Sequence, residues 1–211
     1  MEGKYLSLAG ETVSEKVIEK SRFITVSRHV CGDEEAKAFV AEISSKYADA
    51  THNCYAYVAD RLGNLLRFSD NGEPQGTAGM PMLEVLRARK LCEAAVVVTR
   101  YFGGIKLGAG GLVRAYSGCV AENLNAARIV SYEPCCESEY SFGYPDADAA
   151  TRFFSGCGAD VVNTEYADGV TYTVAVKKQE EQAFNGALIN AVNGRVQIKK
   201  KREYYFPFAI G

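Results

Sequence analysis

Five glycines stand within nine residues, at Gly103, Gly104, Gly108, Gly110 and Gly111. Glycine loses more backbone freedom on folding than any other residue, so neither a strand nor a helix interior carries that density. The chain must turn there. Before the glycines, "AAVVVTRYF" (Ala94 to Phe102) is a β-branched run that predicts a buried strand. After them, "GLVRAYSGCVAENLNAARI" puts Leu112, Ala115, Tyr116, Cys119, Val120 and Leu124 on one helical face. Strand, glycine-rich turn and helix N-terminus together aim free amides and a partial positive charge at an anion.

Neither common nucleotide motif fits this turn. Gly103 and Gly108 have the Walker spacing, but Ala109 and Gly110 stand where the lysine and the magnesium-binding hydroxyl belong. The dinucleotide pattern fails at Val113, which replaces its third glycine, and the flanking strands look antiparallel. What remains is an anion-friendly backbone with Arg100, Lys106 and Arg114 around it and Tyr101 and Phe102 beside it. Cations neutralise phosphate and aromatic faces stack on bases, so RNA contact is one expectation. The other is purely structural: the glycines permit positive φ and close helix-to-strand approach, with Phe102 in the core.

The remaining elements place this turn in a two-domain α+β chain. "KSRFITVSRHV" reads as a strand, "GDEEAKAFVAEISSKY" as a helix buried through Ala36, Phe39, Val40 and Ile43, and "HNCYAYVA" and "NLLRF" as a hairpin around Gly63. Pro81 opens a further helix, "PMLEVLRARKL". After "SYEP" the pattern restarts as βαββαβ, with Asp168-Gly169 as its hairpin turn, the order of a ferredoxin-like domain. The expected boundary gives domains 1–133 and 134–211.

Composition narrows the function. With 47% hydrophobic and 24% charged residues the chain should fold on ordinary cores, and a formal net charge of -2 confines any nucleic-acid site to a local patch. No apolar run is long enough to cross a bilayer and the start lacks a leader pattern, which predicts a cytoplasmic protein without a membrane partner. Seven cysteines, including the adjacent Cys135 and Cys136 but no C-x-x-C, argue against a disulfide scaffold or a zinc site. No cofactor or metal is expected.

Three other stretches bear on chemistry. "SDNGEPQGTAG" offers Asp70 and Glu73, either as an acid–base or magnesium pair or as a capped polar loop ahead of a helix. In "THNCYAY", His52 and Cys54 share one face of a strand, as a metal or thiol pair or as plain strand residues. "IKKKRE", on the last strand, either guards a sheet edge or meets a phosphate backbone.

"KSRFI", "ATHNCYAY", "SDNGEPQGTAGMPML" and "VVVTRYFGGIKLGAGGLVRAYS", in this order, closely resemble the bacterial YigZ-type branch of the IMPACT family. The resemblance implies a first domain of the fold shared by GHMP kinases, the fourth domain of elongation factor G and a small-subunit ribosomal protein. The tail from about Cys135 looks like a second domain similar to the fifth domain of elongation factor G. Eukaryotic members regulate translation through protein contacts in the amino-acid-starvation pathway, and bacterial members have been suggested to bind nucleic acid or the ribosome. Asn71 departs from the family's usual second aspartate, which weakens any magnesium pair with Asp70. A "proline dipeptidase" label carried by some members needs a metal-ligand cluster that two histidines do not supply.

The resulting expectation is a non-enzymatic regulator that contacts RNA, the ribosome or a translation-associated protein. Its face is built from His52, Asp70, Glu73, Arg100, Tyr101, Gly103, Gly104, Lys106, Gly108, Gly110, Gly111 and Arg114. The alternative is an enzyme or sensor for a small phosphorylated ligand held at Gly108 to Gly111.

Overall fold

The computed structural model describes residues 3–157 and 159–210. The chain divides into two compact units, one built on Tyr5–Val130 and the other on Ser131–Phe208.

The N-terminal unit runs β1 (Tyr5–Leu8), β2 (Thr12–Ile18), β3 (Ser21–His29), α1 (Gly32–Lys46), β4 (His52–Val58), β5 (Leu66–Ser69), α2 (Gly79–Ala88), β6 (Ala94–Tyr101) and α3 (Gly108–Ala126). Its sheet has the order β2-β3-β6-β4-β5, and every neighbouring pair is antiparallel. Alternation along the strands sends side chains to two faces. Phe23, Cys54, Ala56, Val96 and Val98 face α2 and α3, and Ile24, Val26, Tyr57, Ala95 and Val97 face α1. The six apolar positions predicted for α3 are all buried.

Two features escape the sequence patterns. Strands β1 and β2 were not expected, because β2 is largely exposed and shows little apolar alternation. Pairing makes it a strand: Ile18 opposes Ser21 across the two-residue turn Glu19-Lys20, whose φ values are 46° and 64°. Positive φ at both positions defines a turn normally written with Asn or Gly, so its residues gave no signal. Asn123 on α3, fully buried, then ties the hairpin down. Its Nδ2 donates to the carbonyls of Thr12 and Thr25 and to Ser14 Oγ, and its Oδ1 accepts from Ser27 Oγ at 2.6 Å. Second, α3 starts at Gly108, inside the glycines, rather than at Gly111.

The C-terminal unit contains most of β7 (Ile129–Phe142), then α4 (Tyr144–Cys157), β8 (Asp160–Tyr166), β9 (Val170–Lys177), α5 (Glu181–Ala191) and β10 (Gln197–Ala209). Its strands lie in the order β10-β7-β9-β8, which is the ferredoxin-like order for a βαββαβ chain. Tyr140, Phe142, Phe154, Tyr172 and Phe184 form the centre of its core, with edge-to-face ring contacts such as Phe154 on Tyr172 at 5.1 Å. No helix among the described residues is long and apolar enough to cross a membrane.

Candidate functional site

Arg100 lies between two strand partners, opposite His52 on β4 and Phe23 on β3, so the three side chains project in a row from one face of the sheet. This is the face covered by α2 and α3, and Arg100 is only 4% exposed. A buried guanidinium needs a counter-charge. Glu73, from the loop between β5 and α2, supplies it: Arg100 Nη1 donates to Glu73 Oε1 at 2.6 Å and Nη2 to Ser21 Oγ at 3.2 Å. The guanidinium also lies 5.4 Å from the ring centroids of both Phe23 and Phe102. Tyr116 on α3 donates its hydroxyl to Glu73 Oε1 at 2.8 Å. Behind it, the Cys54 thiol sits 3.4 Å from that hydroxyl and 3.0 Å from the Asp70 carbonyl.

The loop that carries Glu73 is held by its own backbone. Asp70 accepts from the N–H groups of Gly76, Ala78 and Gly79 at 2.8–2.9 Å, so both carboxylate oxygens are used internally at the entry to α2. Burial works against its charge, but these three donors outweigh it and hold the carboxyl below its usual range. The Asn71 carbonyl accepts from His52 Nδ1 at 2.8 Å, which fixes the proton there and leaves Nε2 facing Glu73 Oε2 at 3.9 Å. Asn71 Oδ1 accepts from the Asn53 N–H. Burial pushes the Cys54 thiol up to about 12 and raises Tyr116 still further, so both stay protonated near neutrality.

The glycines build the wall above this floor. A Cβ on Gly103 would lie 2.0 Å from the Lys20 backbone, so glycine is obligatory where β6 leaves the sheet. Gly104 and Gly108 have φ of 88° and 69°. Gly110 has open space where a Cβ would go, and a Cβ on Gly111 would meet Leu107 Cβ at 3.1 Å. Leu107 offers no side-chain cap to α3, and the first turn contains no acid. The result is a cavity of about 230 Å³ with Glu73 and Arg100 at its base, Pro74, Phe102, Leu107 and Leu112 along its sides, and Lys106, Gly108 and Ala109 at the helix start.

The fold thus gathers Glu73, Arg100, Lys106 and Gly108 around one cleft, while His52 approaches it only through Glu73 and does not line it. Arg100, expected as a surface cation, is its buried base, whereas Phe102 is 47% exposed rather than in the core. Tyr101 projects to the opposite face and donates to Asp49 at 2.8 Å, away from the cleft. Arg114 is exposed on α3, one turn beyond Gly110 and Gly111. Tyr116 was legible only as part of the helical core face, although it completes the Glu73 network. In the C-terminal unit the "IKKKRE" cations are already paired: Lys199 and Lys201 with Glu139, Lys200 with Glu181 and Glu203, and Arg202 with Glu137. Among the described residues no group of three His, Cys, Asp or Glu is placed to hold a metal ion.

The family model for the Impact N-terminal domain matches residues 19–124, which include every residue of this cleft. The chain is 39% identical over 202 residues to the IMPACT family member YvyE of Bacillus subtilis, covering 96% of this chain and 92% of that one. The chain belongs to the IMPACT family. IMPACT family member YigZ of Escherichia coli is 38% identical over 200 residues, covering 94% of this chain and 98% of the relative. The similarity to Protein IMPACT of Xenopus laevis is confined to 104 residues at 33% identity, 47% of this chain and 32% of that protein. Residues 141–195 match a second model, described as a domain of unknown function (DUF1949). A solved structure titled as that of a hypothetical protein superposes with a TM-score of 0.61 at 35% identity, covering 96% of this chain and 98% of that one.

Proposed function

We propose that this IMPACT family protein is a cytoplasmic, non-enzymatic regulator linked to translation that engages RNA, free or on the ribosome, through the cleft face of its N-terminal unit. The family's eukaryotic members are translation regulators. The observation that carries the reading is the surface around the start of α3. Lys106 and Arg114 are exposed and have no partner among the described residues, Phe102 is exposed beside them, and the helix amides lack a side-chain cap. Side chains on a helix lean toward its N-terminus, so Arg114 lies over the turn that Gly110 and Gly111 leave bare. Free cations, an aromatic face and amide donors are the groups that bind a nucleic-acid backbone and its bases. The floor supports binding rather than bond-making: the Glu73 carboxylate is tied to Arg100 and Tyr116, and the thiol and phenol beside it are protonated.

Co-sedimentation of the full chain with ribosomes and with total RNA over a range of potassium chloride concentrations tests this. Affinity should fall with salt, and Lys106→Ala with Arg114→Ala should reduce the log–log slope by about 1.4, roughly 0.7 per single-strand phosphate contact. Absent binding, or a slope untouched by the double substitution, refutes the assignment.

A further inference from the structure

We infer that the cleft at the start of α3 takes a single nucleoside-phosphate unit, with its phosphate on the free amides and Lys106 and its base against Phe102. This rests on the RNA-binding reading above and names the unit that the face receives.

Four observations converge. The first N–H groups of a helix have no intrahelical acceptor. In α3, a helix of 19 residues, no side-chain cap and no first-turn acid compensates them. A Cβ at Gly108 or Gly110 would meet nothing within 4 Å, so another molecule has room to approach this backbone. Arg100, lining the same cavity, keeps a buried Nε–H without a partner. Such an orphan is uncommon and costs stability, and the chain here holds one donor more than it satisfies. Finally, Phe102 covers the guanidinium on one side and is open to solvent. An oxyanion suits the amides, Lys106 and the spare donor, while a flat apolar group suits Phe102. Glu73 adds no net repulsion, because Arg100 neutralises it.

Size sets the remaining limit. About 230 Å³ is below the roughly 300–1,000 Å³ of pockets for larger ligands, so the cleft covers no more than one unit and does not admit a duplex. Bases in a duplex are stacked and paired, so the unit must come from a single strand or from a free mononucleotide.

Both sources are tested on the full chain with one set of probes: a labelled single-stranded 10-mer RNA, the same RNA annealed to its complement, and free AMP and UMP. Fluorescence anisotropy should show the single strand binding at least tenfold more tightly than the duplex. Phe102→Ala should weaken the single strand about tenfold and leave the duplex unchanged. Phe102→Leu, which keeps the apolar cover over Arg100 and removes the aromatic face, should lose binding to a similar extent, separating stacking from folding. A rise in melting temperature with AMP or UMP, absent in Phe102→Ala, supports the cleft with a free nucleotide as its source even if RNA fails to bind. Equal binding of single strand and duplex, with the Phe102 variants silent and no effect of mononucleotides, overturns the inference while RNA binding itself stands. No binding by any probe overturns the inference, and the RNA reading falls with it when ribosomes and total RNA also fail to co-sediment the chain.

Discussion

Gly103→Ala and Gly110→Ala should shift the stability of the N-terminal unit in opposite directions. At Gly103 the added Cβ would lie 2.0 Å from the carbonyl carbon and oxygen of Lys20 and 2.5 Å from the nitrogen of Ser21. All three are backbone atoms, so no rotamer change relieves the clash. The β2–β3 turn must move by more than about 1 Å to restore van der Waals contact near 3.5 Å. That movement carries Ser21 Oγ away from the Gly103 N–H and from Arg100 Nη2, which it now meets at 3.2 Å each. Overpacking costs about 1–3 kcal/mol and the lost hydrogen bonds about 1 kcal/mol each, so a loss of about 3 kcal/mol or more is expected. At Gly110 the backbone is helical and a Cβ meets nothing. Alanine there removes glycine's entropic cost and should add about 0.5–1 kcal/mol. At about 4 °C per kcal/mol, the two variants should melt about 12 °C below and about 3 °C above the parent. Urea unfolding followed by far-ultraviolet circular dichroism measures the sign, and amide exchange in β3 and β6 assigns it to this unit. A neutral Gly103→Ala or a destabilised Gly110→Ala would show that the glycine roles are wrongly divided. If Gly110→Ala also weakens RNA binding while raising stability, the glycine is there for the ligand rather than for the fold.

Removing one member of the buried pair should be severe. Arg100→Met leaves the Glu73 carboxylate uncompensated and should cost about 3–5 kcal/mol in urea unfolding, with part of the loss recovered when Glu73→Gln is added; an additive double variant would contradict the coupling. Asp70 gives the pH dependence. Its folded value lies below the ordinary 3.8, so its stabilisation is complete above the unfolded value and is lost as pH falls through the lowered folded one. Asp70→Asn should cost about 2 kcal/mol at neutral pH and flatten the acid limb of the stability curve; an unchanged limb counts against the three backbone donors.

The elements that were legible in the sequence carry their signal in neighbouring residues. Helix α3 shows its buried face through Leu112, Ala115, Tyr116 and Cys119, and Asp168-Gly169 marks the β8–β9 hairpin, where a Cβ on Gly169 would meet the Phe142 carbonyl at 2.4 Å. What stayed hidden depends on distant partners. β2 becomes a strand only by pairing with β3 and hydrogen bonding to Asn123. The burial of Arg100 was partly recoverable, since it continues the Val96 and Val98 face of β6, and the same parity sends Tyr101 the other way. Nothing in the local sequence, however, announced that Glu73 would reach it across 27 positions, or that Tyr116 would join them.

The buried pair and the exposed rim have separate duties. A guanidinium held by Glu73, Ser21 and two aromatic rings is not a free surface cation: apart from its one unpartnered Nε–H, Arg100 contributes position rather than surface charge. Through Glu73 it fixes the 69–79 loop against β6. Through Phe102 it fixes the one aromatic side chain that lines the cleft among the described residues. In the function proposed above, Lys106, Arg114 and the α3 amides supply the attraction from a protein whose net charge of -2 gives none globally. Affinity should therefore follow substitutions at the rim, and stability should follow those at the floor. Phe102, which touches the Arg100 guanidinium and solvent alike, is the one position where both should respond.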